Sequence, residues 1–170
     1  MSKIRISDEV TVEDYSAEVI RAIEKKAVAV LHETAGELVS QTKRNTPVGQ
    51  VNGSHLKKSW DYVVDSSKLE ATIGSPLENA IWNEFGTGEY ALEDKGRKGG
   101  WWIKVGGGKG EMSPSVAKAY KWKKVRKDKN GNITFVFTTG KAPKRSFYNA
   151  YMTKKSKIQS MIKKKLGEIK

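Results

Sequence analysis

A long amphipathic stretch near the N-terminus restricts what this chain can fold into more than any other feature. Between Val12 and Lys43, apolar side chains recur at Val12, Val19, Ile20, Ile23, Ala27, Val30, Leu31, Ala35 and Leu38. That spacing follows the helical turn and predicts one continuous helix. Thr11 stands where an N-cap is expected. Glu13, Asp14 and Glu18 lie at the positive end of the helix dipole, and Lys43 and Arg44 at the negative end. Asn45-Thr46-Pro47 ends the helix. Gly36 interrupts it at a loss of about 1 kcal/mol relative to alanine, so a close crossing with another backbone is expected there.

The stripe must be covered, and the rest of the chain supplies candidates. A turn-rich segment from Pro47 to Ser54 leads into a short amphipathic turn, His55–Ser59. Residues 60–65 and 69–73 alternate as two strands about an Asp65-Ser66-Ser67-Lys68 turn, an antiparallel hairpin. Leu77 to Phe85 reads as a short helix closed by Gly86-Thr87-Gly88. Nine of the sixteen glycines fall within residues 86–114, which predicts a long loop carrying one strand, Trp101–Val105. Tyr120-Lys121-Trp122 and Ile133–Phe137 flank Asn130-Gly131, a two-residue hairpin signal. From Lys144 to Leu166 a last helix carries Phe147, Ala150, Tyr151, Ile158, Met161 and Ile162 on one face and lysines on the other.

The expected architecture is a single α+β domain over residues 1–170. A long N-terminal helix and a C-terminal helix pack on a small antiparallel sheet of hairpins, with a long Gly-rich loop. Within it lie an N-terminal arm (1–11), a mobile Gly-rich loop (86–118), a basic hairpin (118–138) and a basic C-terminal helix (144–170).

Charge narrows the function. Lys and Arg number 32 against 19 Asp and Glu, a net +13. Residues 1–40 carry 5 basic and 8 acidic side chains, net −3, whereas residues 140–170 carry 10 and 1, net +9. An acidic front and a basic back suit unlike-surface packing of identical subunits, or one face turned to a polyanion. There is no cysteine, so thiol nucleophiles, disulfides and Cys-based zinc sites are excluded. No apolar run approaches the ~20 residues of a membrane span, and the N-terminus has no signal-peptide pattern, so a soluble chain made inside the cell is expected.

Motifs for chemistry are weak. Gly106-Gly107-Gly108-Lys109-Gly110 resembles a phosphate loop but lacks the Gly-Lys-Ser/Thr ending and the strand–loop–helix setting, so it reads as a flexible loop. His32 and His55 have no Ser or Asp at a spacing that defines a triad, and paired carboxylates such as Asp61/Asp65 read as surface charge. No enzymatic activity, metal or cofactor is expected. A stronger signal is the run in which Lys118, Lys121, Lys123, Lys124, Arg126, Lys127 and Lys129 interleave with Tyr120 and Trp122. Such a run could hold phosphates while its aromatics stack on bases, or could serve as a charged edge hairpin that deters aggregation. With Lys109, these residues are the candidate DNA-facing or interface set.

Several short stretches in fixed order carry a resemblance. Thr46-Pro47-Val48 follows the long helix, then Gly53, Leu56 and Ser59, then Ile73-Gly74 and Ala80. Asn83-Glu84-Phe85-Gly86-Thr87-Gly88 comes next, then Gly96 to Trp101, and last Thr139-Gly140-Lys141-Ala142-Pro143 with Phe147 and Ala150 beyond. This order resembles the tail-completion or head–tail joining proteins of long-tailed, non-contractile bacteriophages and prophages, often described as minor capsid or minor tail proteins. The Glu-Phe-Gly-Thr-Gly segment is its most specific part. The chain departs from that pattern in a stretched turn at Gly49–Leu56 and a longer Trp101–Thr139 region.

The resemblance implies a non-enzymatic virion protein of the neck, made in the host cytoplasm and assembled as a ring, typically sixfold, around the DNA channel. Its implied partners are copies of itself, the head-closure or connector protein and the tail terminator or tail tube protein, with non-specific contact to passing DNA and none to membrane. It assigns structural roles to Thr46, Pro47, Gly53, Leu56, Gly74, Glu84, Phe85, Gly86, Thr87, Gly88, Gly140, Pro143 and Phe147. Phe85 is expected to anchor the short helix to the core. The alternative is a small basic nucleic-acid-binding protein of the cytoplasm.

Overall fold

The structure, a computed structural model, describes residues 2–5, 11–51 and 53–167. The elements in chain order are β1 (Ser2–Arg5), β2 (Thr11–Asp14), α1 (Ser16–Asn45), α2 (His55–Ser59), β3 (Asp61–Asp65), β4 (Glu70–Gly74), α3 (Glu78–Phe85) and β5 (Thr87–Gly88). A 3-10 turn (Leu92–Asp94), β6 (Trp101–Lys104), α4 (Pro114–Ala119), β7 (Val125–Lys127), β8 (Ile133–Thr138), β9 (Gly140–Lys141) and α5 (Ser146–Gly167) follow. The fold is α+β. Its strands form four small antiparallel sheets in place of one: β1-β2, β3-β4, β5-β9 and β6-β8-β7. Parts of the expected N-terminal arm (1 and 6–10) and the last residues of the expected C-terminal helix (168–170) lie outside the described residues.

Two compact units are present, one formed by residues 1–40, 61–74 and 151–170, the other by residues 41–60 and 75–150. In the first, α1 contributes buried Val30, Thr34, Ala35 and Val39. The β3–β4 hairpin meets α1 through an edge-on contact of Tyr62 with His32. At the hairpin turn, Asp65 accepts hydrogen bonds from the Ser67 hydroxyl (2.6 Å), then the Lys68 amide (3.2 Å) and the Ser67 amide (2.9 Å), which favour its ionised form and hold its pKa low. Glu37 on α1 meets Lys154 (2.8 Å) and Lys157 (3.0 Å) of α5, and Glu33 pairs with Lys165.

Two expectations change in this unit. The helix starts at Ser16, because β-branched Thr11 and Val12 lie in β2 and the cap is made later. There the Asp14 carboxylate accepts from the Ser16 amide at 2.8 Å, and the Tyr15 carbonyl from Glu18 and Val19. Gly36 marks no backbone crossing. A Cβ there would meet only the Tyr62 ring, at 3.9 Å.

In the second unit Trp60, Ala80, Ala117, Val136 and Ala150 are buried. Strand β8 is central, with β6 and β7 on either side, and Val136 sits fully buried in its middle. The basic hairpin differs from expectation. Its outer strand is Val125–Lys127, and the turn is not the two-residue type: the Asp128 amide donates to the Asn132 carbonyl (3.0 Å) and Gly131 alone takes a positive φ. The Asp128 side chain accepts from the amides of Asn130 and Asn132, which lowers its pKa. Helix α4 was not expected, although Ser113-Pro114 signals it. Ser113 Oγ accepts from the Val116 amide (3.4 Å), and Pro114 opens the helix, where a missing N–H does no harm.

Candidate functional site

The Asn83–Gly88 segment ends α3 and organises the second unit through a buried polar node. Asn83 is fully buried. Its carbonyl accepts from the Lys144 amide (2.7 Å) and its side-chain amide donates to Ser146 Oγ (2.8 Å). Ser146, also fully buried, donates to the Asn45 carbonyl (3.4 Å), while Asn45 Nδ2 donates to the Ser146 carbonyl (3.3 Å). One node thus ties the end of α1, α3 and the start of α5. Every buried polar group in it has a partner, as burial requires.

Glu84 completes the lock. Its carboxylate accepts from the amides of Phe147 (3.0 Å) and Tyr148 (2.8 Å), two of the orphan donors in the first turn of α5. A negative charge at that end also complements the dipole. Phe85 is not the expected anchor. It is 55% exposed, because α3 turns Ala80 and Asn83 inward and Ile81, Trp82 and Phe85 outward.

Gly86 and Gly88 are required by backbone geometry. Gly86 (φ +74°) closes α3, and a Cβ there would press on the carbonyls of Tyr90 and Lys141 and on Pro143 at 2.8–2.9 Å. Gly88 (φ +62°) lies so close to Thr139 that a Cβ would overlap its carbonyl oxygen. Thr87 pairs with Lys141 and Gly88 with Gly140, and Thr87 Oγ1 accepts from the Lys141 amide at 3.0 Å. The remaining motif residues scatter. Thr46 is buried and donates its hydroxyl to the Thr42 carbonyl (2.7 Å), and Phe147 stacks with Trp60 at 6.2 Å. Pro47, Gly53 and Leu56 line a cavity of about 480 Å³ with His55, Lys141 and Lys144, while Gly74 ends β4 in the first unit.

Beside that cavity opens a cleft of about 670 Å³. Trp82, Trp101, Tyr120, Trp122, Ile103 and Met112 line it, with Lys141 at its edge. Sequence reasoning missed it because its aromatics come from three separate stretches, Trp82, Trp101 and Tyr120–Trp122. Tyr120 and Trp122, expected in a strand, instead turn into the cleft. Trp122 Nε1 donates to the Ala117 carbonyl (3.0 Å), and Tyr120 Oη accepts from the Gln50 amide (3.3 Å). Lys141 Nζ reaches Asn83 Oδ1 at 3.4 Å, and desolvation, then the nearby Lys144 charge, lower its pKa.

The candidate DNA-facing cations are exposed: Lys109 on the glycine loop, Lys118 at the end of α4, and Lys121, Lys123, Lys124 and Arg126 around β7. Aromatic faces near them are engaged within the chain. The Arg126 guanidinium lies 4.4 Å from the centre of the Trp102 ring and Lys124 Nζ 5.2 Å from that of Phe137. In the glycine loop, the Glu111 carboxylate pairs with Lys104 (2.7 Å) and takes the Gly108 amide (2.9 Å), and these two bonds, Lys104 foremost, lower its pKa. An amide of the kind a phosphate would need is therefore occupied by a carboxylate.

His32 and His55 stand in different units, His32 with its Nδ1 3.4 Å from Tyr62 Oη. Among the described residues no three His, Asp or Glu side chains gather as a metal site, and no helix is long and apolar enough to cross a membrane.

The site defines a class: an α+β chain whose central motif is a structural lock beside an open aromatic cleft. Residues 11–86 match the family described as "Bacteriophage HK97-gp10, putative tail-component". Over that stretch the chain is similar to this bacteriophage tail-component family, in line with the head–tail joining and tail-completion resemblance. No curated protein and no solved structure matches the chain.

Proposed function

We propose that this chain is a non-enzymatic structural protein of the phage neck. It completes the tail and joins it to the head connector as part of a homo-oligomeric ring around the DNA channel. The carrying observation is the tail-component match at residues 11–86, which ends on the Asn83–Gly86 stretch of the polar lock. Glu84 and Ser146, side chains that could do chemistry, are committed to backbone partners, whereas large apolar groups are left outside. That division suits a part that docks, with head-closure and tail terminator or tube proteins as its neighbours.

The exposed lysines serve passing DNA as weak, screened attraction. The rival reading as a dedicated nucleic-acid binder is disfavoured because its stacking candidates, Tyr120 and Trp122, turn into the cleft, where Tyr120 accepts from the Gln50 amide and Trp122 donates to the Ala117 carbonyl. Electron microscopy of particles assembled without this chain tests the reading. Full heads separate from tails are expected, and normally joined particles would refute it. Duplex binding lost by about 0.15 M salt is the companion expectation; tight binding there would favour the rival.

A further inference from the structure

One apolar surface in the first unit is as unfilled as the cleft in the second. Tyr15 (46%), just before α1, and Val19 (51%), Ile20 (55%) and Ile23 (39%) in its leading turns are exposed. At helical spacing these form one stripe, bordered by Glu18 on one side and Glu24 on the other, with Asp14 at its start and Arg21 opposite. The cleft has the complementary character: tryptophan and tyrosine walls, with Lys141 and Lys144 at its edge and in the adjoining cavity. Among the described residues neither lysine pairs with a carboxylate. Anchors at i, i+4, i+5 and i+8 are those by which an amphipathic helix enters a groove, and 670 Å³ is within the range of clefts that bind such groups.

We propose that the leading turns of α1 in one copy insert Val19, Ile20 and Ile23 into the aromatic cleft of a second copy, with Glu18 and Glu24 facing that copy's Lys141 and Lys144. The contact joins unlike surfaces, so it propagates from copy to copy until a ring closes. The idea rests on the ring reading above and names its joint. Acidic helix and basic cleft steer the encounter, and the apolar anchors set its lifetime.

The absence of native cysteine makes the test clean. Full-length Ile20→Cys protein is mixed with full-length Asn79→Cys protein, Asn79 being an exposed cleft residue, and treated with a short bismaleimide. A cross-linked dimer is expected in the mixture only, with a Ser66→Cys control failing to replace either partner. Lys141→Glu/Lys144→Glu should weaken association at least tenfold by light scattering, and Glu18→Lys/Glu24→Lys on the partner should restore it. Circular dichroism verifies folding of each variant. If oligomers form but positions 20 and 79 do not cross-link, the joint is wrong while the ring survives. A chain that stays monomeric at several hundred micromolar, and single in the neck, contradicts both.

Discussion

At the residue scale, the chain's most informative positions are those where a side chain, or the lack of one, is tied to a single geometric demand. Glu84 satisfies two amides of a helix 63 positions away, and no neighbouring side chain is shown sharing that task. Glu84→Gln keeps the shape but removes the charge and one acceptor. It should lower stability by about 1–2 kcal/mol, read as a lower urea midpoint at unchanged slope. Gly36 is the opposite case. Its helix is regular and a Cβ would find only ordinary contact with Tyr62, so Gly36→Ala should raise stability by about 1 kcal/mol, or about 2–4 °C in melting temperature. A loss of stability there would mean that the Tyr62 ring packs tighter than the structure has it.

At the element scale, α1 and α5 are bridged by Glu37 with Lys154 and Lys157. Hydrogen bonds from Lys154 first and Lys157 second pull the Glu37 pKa from 4.5 to about 2, against a smaller opposing effect of desolvation. The folded carboxyl is thus more acidic than the unfolded one. Its stabilisation is full above pH 4.5 and fades as pH falls toward 2. The groups are partly exposed, so solvent screening leaves about 1 kcal/mol. Thermal melts should show Glu37→Gln less stable than the parent by that amount at pH 6, with the gap closing near pH 2; a gap independent of pH would contradict the ion pair. Apart from α4, the helices and the β3–β4 hairpin were legible in the sequence because each carries its periodicity and end signals within its own span. Two features were not legible for the same reason. The partner strand of β8 was misplaced by a few residues because Tyr120 and Trp122 look strand-forming locally, yet Ala117 and Gln50 hold them in the cleft. Phe85 looked like a core residue, but the face of α3 that turns inward is decided by the Asn83–Ser146 bond, which spans 63 residues. Of the candidate site, the Asn83–Gly88 motif could be found from its order of residue types; the cleft could not, since it exists only once distant stretches meet.

At the scale of the whole molecule, the acidic 1–40 segment and the basic 140–170 segment meet within the chain, where Glu33 and Glu37 pair with Lys165, Lys154 and Lys157. The net +13 is self-repulsion, and the proposed joint sets against it Glu18 and Glu24 of one copy facing Lys141 and Lys144 of the next. Assembly should therefore weaken as salt rises, without loss of the fold, and sedimentation at 0.05 M and 0.5 M salt measures it. A ring-forming part of the neck, as proposed, must sit where head meets tail. Gold-labelled antibody against the chain, viewed by electron microscopy on purified particles of the phage that encodes it, tests this most directly. Label confined to the head–tail junction, from several copies per particle, is expected. Label spread along the tail, or particles carrying none of the chain, would contradict it.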